Sequence, residues 1–142
     1  MEQVTNIMRS KSFFIAIDGD LVGRKIENLI ISQELDSLAR YSHLMNKMIE
    51  NMCLIATDLG GKIYLKGGDS VLFEIKSYQT FIKDFVGMKT ELDTTFSVGI
   101  GKNLIEAYLA LKYAKSLGNG LIIISETINK KNQFKVFEKI KS

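Results

Sequence analysis

The chain has 142 residues, 46% of them hydrophobic and 25% charged, which suits one globular domain with a single core. Its net charge of +3 is uneven: residues 130–142 carry five lysines against Glu138, a local +4, which leaves −1 for the rest. The near-neutral body excludes a broad duplex-binding surface, and no apolar run approaches the ~20 residues a membrane helix needs. Neither stable duplex nucleic acid binding nor membrane insertion is therefore expected.

Ser12 to Asp18 is apolar on both parities through Phe13-Phe14-Ile15-Ala16-Ile17, which predicts a buried central strand. A short helix is predicted from Arg24 to about Ile31. Leu38, Tyr41, Met45, Met48, Met52, Ile55 and Leu59 then recur at alternating spacings of 3 and 4. That is the stripe of a long helix packed across a sheet, stopped by Gly60-Gly61. Lys62 to Lys66 and Val71 to Ile75 read as a hairpin around Gly67-Gly68-Asp69-Ser70.

Phe81, Phe85, Met88 and Leu92 mark another amphipathic helix, and Thr94 to Ile100 a strand. Asn103, with Glu106 three residues on, forms a capping box. The helix it opens is expected to turn Leu104, Ala107, Leu111 and Ala114 inward and to end near Gly118. Leu121 to Ser125 reads as a buried strand, and Gln133 to Glu138 as a last edge strand within the lysine-rich tail. The order predicts one α+β domain over residues 1–142, a mixed β-sheet with helices against it and a ferredoxin-like core. The lone Cys53 precludes an intramolecular disulfide, and no signal peptide is read before Phe13, so a reducing, cytoplasmic setting is expected.

Two stretches carry the chemistry. Asp18-Gly19-Asp20 follows the apolar strand, and Asp69 stands in the hairpin turn. If the two strands are neighbours, Asp18 and Asp69 form a hard-oxygen site for Mg²⁺ or Mn²⁺, with the Gly19 carbonyl as a further ligand. Asp20 is either a second metal ligand or an N-cap for the turn after it. Gly19, Gly23 and the backbone N–H groups between them could cradle phosphates at a helix start. Lys112 and Lys115, three apart on one helical face, become candidates for nucleotide phosphates beside such a site.

These motifs, followed in order by Ser97-Val98-Gly99-Ile100-Gly101 and Ala114-Lys115-Ser116-Leu117-Gly118-Asn119, resemble the nucleotidyl cyclase and polymerase palm superfamily. The resemblance covers roughly residues 12–125. The Asp-Gly-Asp-x-x-Gly form and the compact length look most like the stand-alone minimal CRISPR polymerases, mCpol. The resemblance implies catalytic Asp18 and Asp69, with Asp18, the Gly19 carbonyl and Asp69 holding the metal. It implies phosphate or nucleotide contacts at Asp20, Leu21, Val22, Gly23, Gly68, Ser70, Lys112 and Lys115. Ser70 stands where relatives usually carry a second acid, Val71 replaces the aromatic residue of GGDEF, and Gly118-Asn119-Gly120 lacks the usual Arg. These departures oppose a diguanylate cyclase assignment.

The implied activity is a pyrophosphate-releasing nucleotidyltransferase, with two Mg²⁺ or Mn²⁺ per site, making a cyclic oligonucleotide, cyclic di-AMP in the first instance, from ATP. Such a product implies a role in bacterial antiphage defence and a separate effector protein that senses it. A cyclic dinucleotide also implies a homodimer, since two nucleotides must face each other. The alternatives are a class III-like mononucleotide cyclase, a palm-fold nucleotide sensor without turnover, and a structural ferredoxin-like interaction module.

Overall fold

One six-stranded sheet organises the chain, in the order β2-β3-β1-β4-β5-β6. The computed structural model describes residues 12–128 and 130–139. In chain order these form β1 (Phe13–Gly19), α1 (Val22–Ile31), α2 (Leu35–Asp58), β2 (Lys62–Gly67), β3 (Ser70–Ile75) and α3 (Tyr78–Val86). β4 (Phe96–Gly101), α4 (Leu104–Leu117), β5 (Leu121–Ile128) and β6 (Lys131–Lys139) follow. The neighbours β2, β3, β1 and β4 are all antiparallel, which is the ferredoxin-like core expected from the element order. β5 adds parallel to β4 through the α4 crossover, and β6 pairs antiparallel with β5, so the sheet is mixed.

The main core lies on one face. Ile15 and Ile17 of β1, Phe73 of β3 and Ile100 of β4 pack against Met45, Met48 and Met52 of α2 and Phe81 and Phe85 of α3. The methionine stripe of α2 therefore meets the sheet, and the helix ends through Gly60 N–H to Thr57 O and Gly61 N–H to Ala56 O, the paired bonds of a Schellman motif. β1 is apolar on both parities because its other face is covered too, and there Ala16 is buried.

That second face is closed by α4 alone among the described helices, and the contact is very close. A Cβ at Gly99 would lie 2.2 Å from Ala107 O, and one at Gly101 2.4 Å from Ala107 N. The glycines of β4, two residues apart, therefore form a groove for the helix backbone, filled by the fully buried Ala107, Ala110 and Ala114. Leu104 does not turn inward as its spacing predicts. It is 51% exposed, because a groove of this depth admits only small side chains and Leu104 sits at its rim. The cap forms as expected from Asn103 Oδ1 to Glu106 N–H (2.9 Å), while Glu106 Oε2 accepts from Lys102 N–H (3.1 Å).

Other boundaries move. α3 stops at Val86 with Gly87 as its C-cap, so Met88 and Leu92 lie outside the helix the spacing predicts, though Leu92 still enters the core. The stretch 87–95 is pinned to α2 by Arg40 to Glu91 (2.5 Å) and by Tyr41 Oη to Thr94 Oγ1 (2.6 Å). β4 begins at Phe96 rather than Thr94. β5 and β6 both run longer than expected, and the edge strand read at Gln133–Glu138 forms as Lys131–Lys139. The tail's last three residues lie outside the described part. No described helix is long and apolar enough to cross a membrane.

The groove predicts an asymmetry between glycines. Gly99→Ala should destabilise the domain by about 2 kcal/mol or more, because neither backbone can retreat. Gly23→Ala, with no atom within 4 Å of the added Cβ, should be neutral or slightly stabilising. Urea unfolding of both variants checks this; equal effects would mean the groove is not tight.

Candidate active site

The register of β1 brings the two sequence stretches together. Asp18 is opposite Ser70 on β3 and opposite Ser97 on β4, so all three share the α4 face of the sheet. The hairpin turn is tied to the end of β1 by Gly19 N–H donating to Asp69 O (3.0 Å). Gly68 takes φ 55°, a left-handed value that glycine adopts without penalty, and this lets the two-residue turn carry Asp69 back toward β1. A Cβ at Gly19 would lie 2.6 Å from Val22 Cγ2 and 3.0 Å from Asp69 Oδ2, so glycine there leaves room for the carboxylate.

Lys115 reaches this cluster from the last turn of α4. Its Nζ lies 3.2 Å from Asp18 Oδ2, donates to Gly19 O at 3.0 Å, and is 3.4 Å from Asp20 Oδ1. Ser70 Oγ donates to the other oxygen of Asp18 at 2.5 Å. Lys112 does not touch the carboxylates. Its Nζ sits 5.3 Å from the ring centroid of Tyr108, and with Lys115 it lines a cleft of about 230 Å³ beside Asp18, walled by Ala16, Leu72 and Leu111.

Asp20 is not the N-cap that one of the sequence alternatives offered. It is 6% exposed, and its carboxylate accepts from Thr95 Oγ1 (2.7 Å), Ser97 Oγ (2.7 Å) and Gly120 N–H (2.9 Å). Its oxygens are engaged by these three donors, and its side chain does not cap α1. The N-cap of α1 is Leu21, at φ 57° and ψ 27°, with no side chain capping the helix. That leaves the first amides of α1, in the turn from Leu21 to Gly23, without a side-chain partner. A non-glycine residue in the left-handed region costs roughly 1 kcal/mol, and such strain concentrates at functional turns. Sequence reasoning did not name Thr95, Ser97 or Gly120 as site residues, although Ser97 falls in a motif that carries the resemblance and Gly120 directly follows another.

The charges define the chemistry available. Asp69 is half-buried, and its carboxyl is held above its ordinary value first by burial and then by the charge of Asp18. Backbone N–H groups and Lys115 oppose this in part. Among the described residues no group of three or more His, Cys, Asp or Glu side chains is placed to hold an ion. The donor set is two carboxylates and one carbonyl, and that set fits a hard divalent cation of the Mg²⁺ type, which takes one or two carboxylates and completes its shell with water and phosphate. The Lys115 ammonium, seated on Asp18 and Gly19 O, shows that the position accepts positive charge.

Residues 14–125 match the mCpol family, the minimal CRISPR polymerase domain, and the chain belongs to that family. The fold is that of the nucleotidyl cyclase and polymerase palm. A monomeric guanylyl cyclase domain, a double mutant, of the RhoGC fusion protein from the aquatic fungus Blastocladiella emersonii is similar at TM-score 0.59 and 14% identity, over 90% of this chain and 94% of that one. A diguanylate cyclase/phosphodiesterase from Caldicellulosiruptor saccharolyticus is similar at TM-score 0.53 and 19% identity, over 92% of this chain and 87% of that one. No curated protein matches the sequence. The family and the fold together support a nucleotidyl cyclase or polymerase-like function.

The raised Asp69 carboxyl gives a signed pH prediction. A carboxyl with a folded pKa above its unfolded one binds its proton more tightly in the native state, so its ionisation destabilises the fold as pH rises. Asp69→Asn should therefore raise Tm at pH 7.5 in metal-free buffer. The gain is of order 1–2 °C, small because Asp69 is part-exposed and screened. It should shrink toward pH 4 and below. Thermal melts across that range decide it; a gain that grows on acidification would refute the stated environment of Asp69.

Proposed function

We propose that this protein is a metal-dependent nucleotidyltransferase that converts ATP into a cyclic oligonucleotide, cyclic di-AMP in the first instance, with release of pyrophosphate. The observation that carries this reading is the meeting of Asp18, Gly19 O and Asp69 at adjacent strand ends, with Lys115 already on two of these oxygens. A divalent cation held there supplies the Lewis acidity that activates a ribose hydroxyl and stabilises the leaving pyrophosphate.

The chain's own residues do the rest by position and charge. Asp18 and Asp69 hold the cation, and the Gly19 carbonyl contributes from the backbone. The uncapped amides from Leu21 to Gly23 face the phosphates, and Lys115 carries the positive charge closest to them. Lys112 lines the cleft in which the remainder of the nucleotide lies. In each transfer a ribose oxygen bonds to an α-phosphorus, the bond from that phosphorus to the pyrophosphate oxygen breaks, and the hydroxyl proton leaves to solvent. Two such transfers close a cyclic dinucleotide.

One carboxylate pair per chain serves one nucleotide, so two copies facing each other would supply the two half-sites. The exposed Leu104 and Tyr108 of α4 and Leu65 of β2, at the mouth of the cleft, support such a homodimer. The setting is the cytoplasm of a bacterium, with the product acting in antiphage defence through a separate effector. A nucleotide sensor without turnover is the second reading. It is favoured by one observation: Ser70 replaces the family's acid and occupies Asp18 Oδ1.

Incubation of purified protein with each NTP and Mg²⁺ or Mn²⁺, read by mass spectrometry, separates these readings. The expected result is a cyclic dinucleotide from ATP, reduced at least ~100-fold in Asp18→Ala and Asp69→Ala. A 3′,5′-cyclic mononucleotide would replace the product assignment, and ATP binding with no product would establish the sensor. Equal activity in both variants would remove the metal assignment. Mn²⁺ titration should count one ion per chain alone and two with a non-cleavable ATP analogue.

A further inference from the structure

The position that would hold a cation is filled by the protein itself. Lys115 Nζ is 3.0 Å from Gly19 O and 3.2 Å from Asp18 Oδ2, so its ammonium and a metal ion seated on the same two oxygens exclude each other. The backbone of α4 cannot withdraw to relieve this, because it is seated in the glycine groove of β4. The side chain can move: it is 29% exposed and borders the open cleft beside Asp18. Asp20 stays fixed behind it, 3.4 Å away and held in place by Thr95, Ser97 and Gly120.

We infer that Lys115 is the built-in counter-ion of the cation site, and that a divalent cation must displace its ammonium, which is thereby released toward the phosphates of the incoming nucleotide. This rests on the reading of Asp18, Gly19 O and Asp69 as cation ligands. Two consequences follow from linkage. A cation arriving alone must break the contacts of Lys115 with Asp18 and Gly19 O, so it binds weakly. A nucleotide offers the displaced ammonium new anionic partners, so it strengthens cation binding, and the cation strengthens nucleotide binding by the same factor. The site thus favours the pair over either component.

Lys115→Met keeps the length and apolar stem of the side chain and removes the charge. Mn²⁺ binding, followed by electron paramagnetic resonance of the free ion, would be measured on wild type, Lys115→Met, Lys115→Arg and Lys112→Met. Each would be measured with and without α,β-methylene-ATP, which cannot release pyrophosphate. Without nucleotide, Lys115→Met should bind Mn²⁺ about tenfold or more tightly than wild type, since a charge in direct contact with the ligands is gone. In the same variant the strengthening of Mn²⁺ binding by the analogue should fall to less than half that of wild type. Lys115→Arg, which retains the charge, should bind Mn²⁺ alone within about twofold of wild type. Lys112→Met removes a nearby charge that touches no carboxylate, and it should change Mn²⁺ affinity less than about twofold.

Mn²⁺ binding to Lys115→Met no tighter than to wild type would overturn the inference while leaving the cation site intact. A gain in Lys112→Met equal to that in Lys115→Met would overturn it as well, by assigning the effect to net charge. If neither wild type nor Lys115→Met bound Mn²⁺ at millimolar concentration, the cation site and the inference would fall together.

Discussion

The seating of α4 on the backbone of β4 is the constraint on which the site depends. A helix that touches a strand main chain to main chain can do so only where the strand lacks side chains, and Gly99 and Gly101 supply that gap. Ala107, Ala110 and Ala114 complete it from the helix. The consequence is felt three residues before the helix C-cap. Lys115 is brought low enough over the sheet to reach the end of β1, where it meets Asp18, Gly19 O and Asp20 at once. A larger residue at position 99 would lift the helix and with it the Lys115 ammonium in contact with the acidic cluster.

The three aspartates of that cluster do different work because their surroundings differ. Burying a carboxylate is costly unless donors replace its water. Asp20 has them, two hydroxyls and a backbone amide drawn from the start of β4 and from the α4–β5 turn, and so it joins three elements around the site. Asp18 and Asp69 are each part-exposed, and burial together with mutual repulsion raises the Asp69 carboxyl. Counting Lys115, the formal charge of the four side chains is −2, which a divalent ion would cancel. The accessible carboxylates of the cluster are therefore Asp18 and Asp69, and the rigidity belongs to Asp20.

Much of this was legible in the residues. The both-parity apolar run, the Met stripe and the glycine-centred hairpin each have a period or a turn chemistry that only one element satisfies, and all three form as read. What failed was non-local. Met88 and Leu92 keep a helical spacing with Phe81 and Phe85, but Gly87 ends the helix and the extended chain carries Leu92 into the core by another route. Gly99 and Gly101 read as a strand ending, whereas they are the groove for a helix still to come. Asp20 could not be assigned because its partners stand at 95, 97 and 120, far away in sequence. The edge strand read at Gln133–Glu138 does form, but its full extent, Lys131–Lys139, was not legible because a sheet edge needs only backbone to pair.

Ser70 stands where the resemblance leads one to expect a second acid in the hairpin motif, and its contact shows what the departure does. An acid at that position would place a further negative charge against Asp18, next to an Asp69 already hard to ionise. The hydroxyl instead donates to Asp18 Oδ1 and leaves Oδ2 directed at the cation position that Lys115 occupies. The protein then offers two carboxylates and one carbonyl, enough for one hard cation whose remaining positions are filled by water and phosphate. A second cation would have to draw its donors from the triphosphate rather than from the chain. Under the proposed function, the nucleotide would therefore be part of the metal site in this chain, more than in a relative with the extra acid, and assembly of the site would depend on substrate.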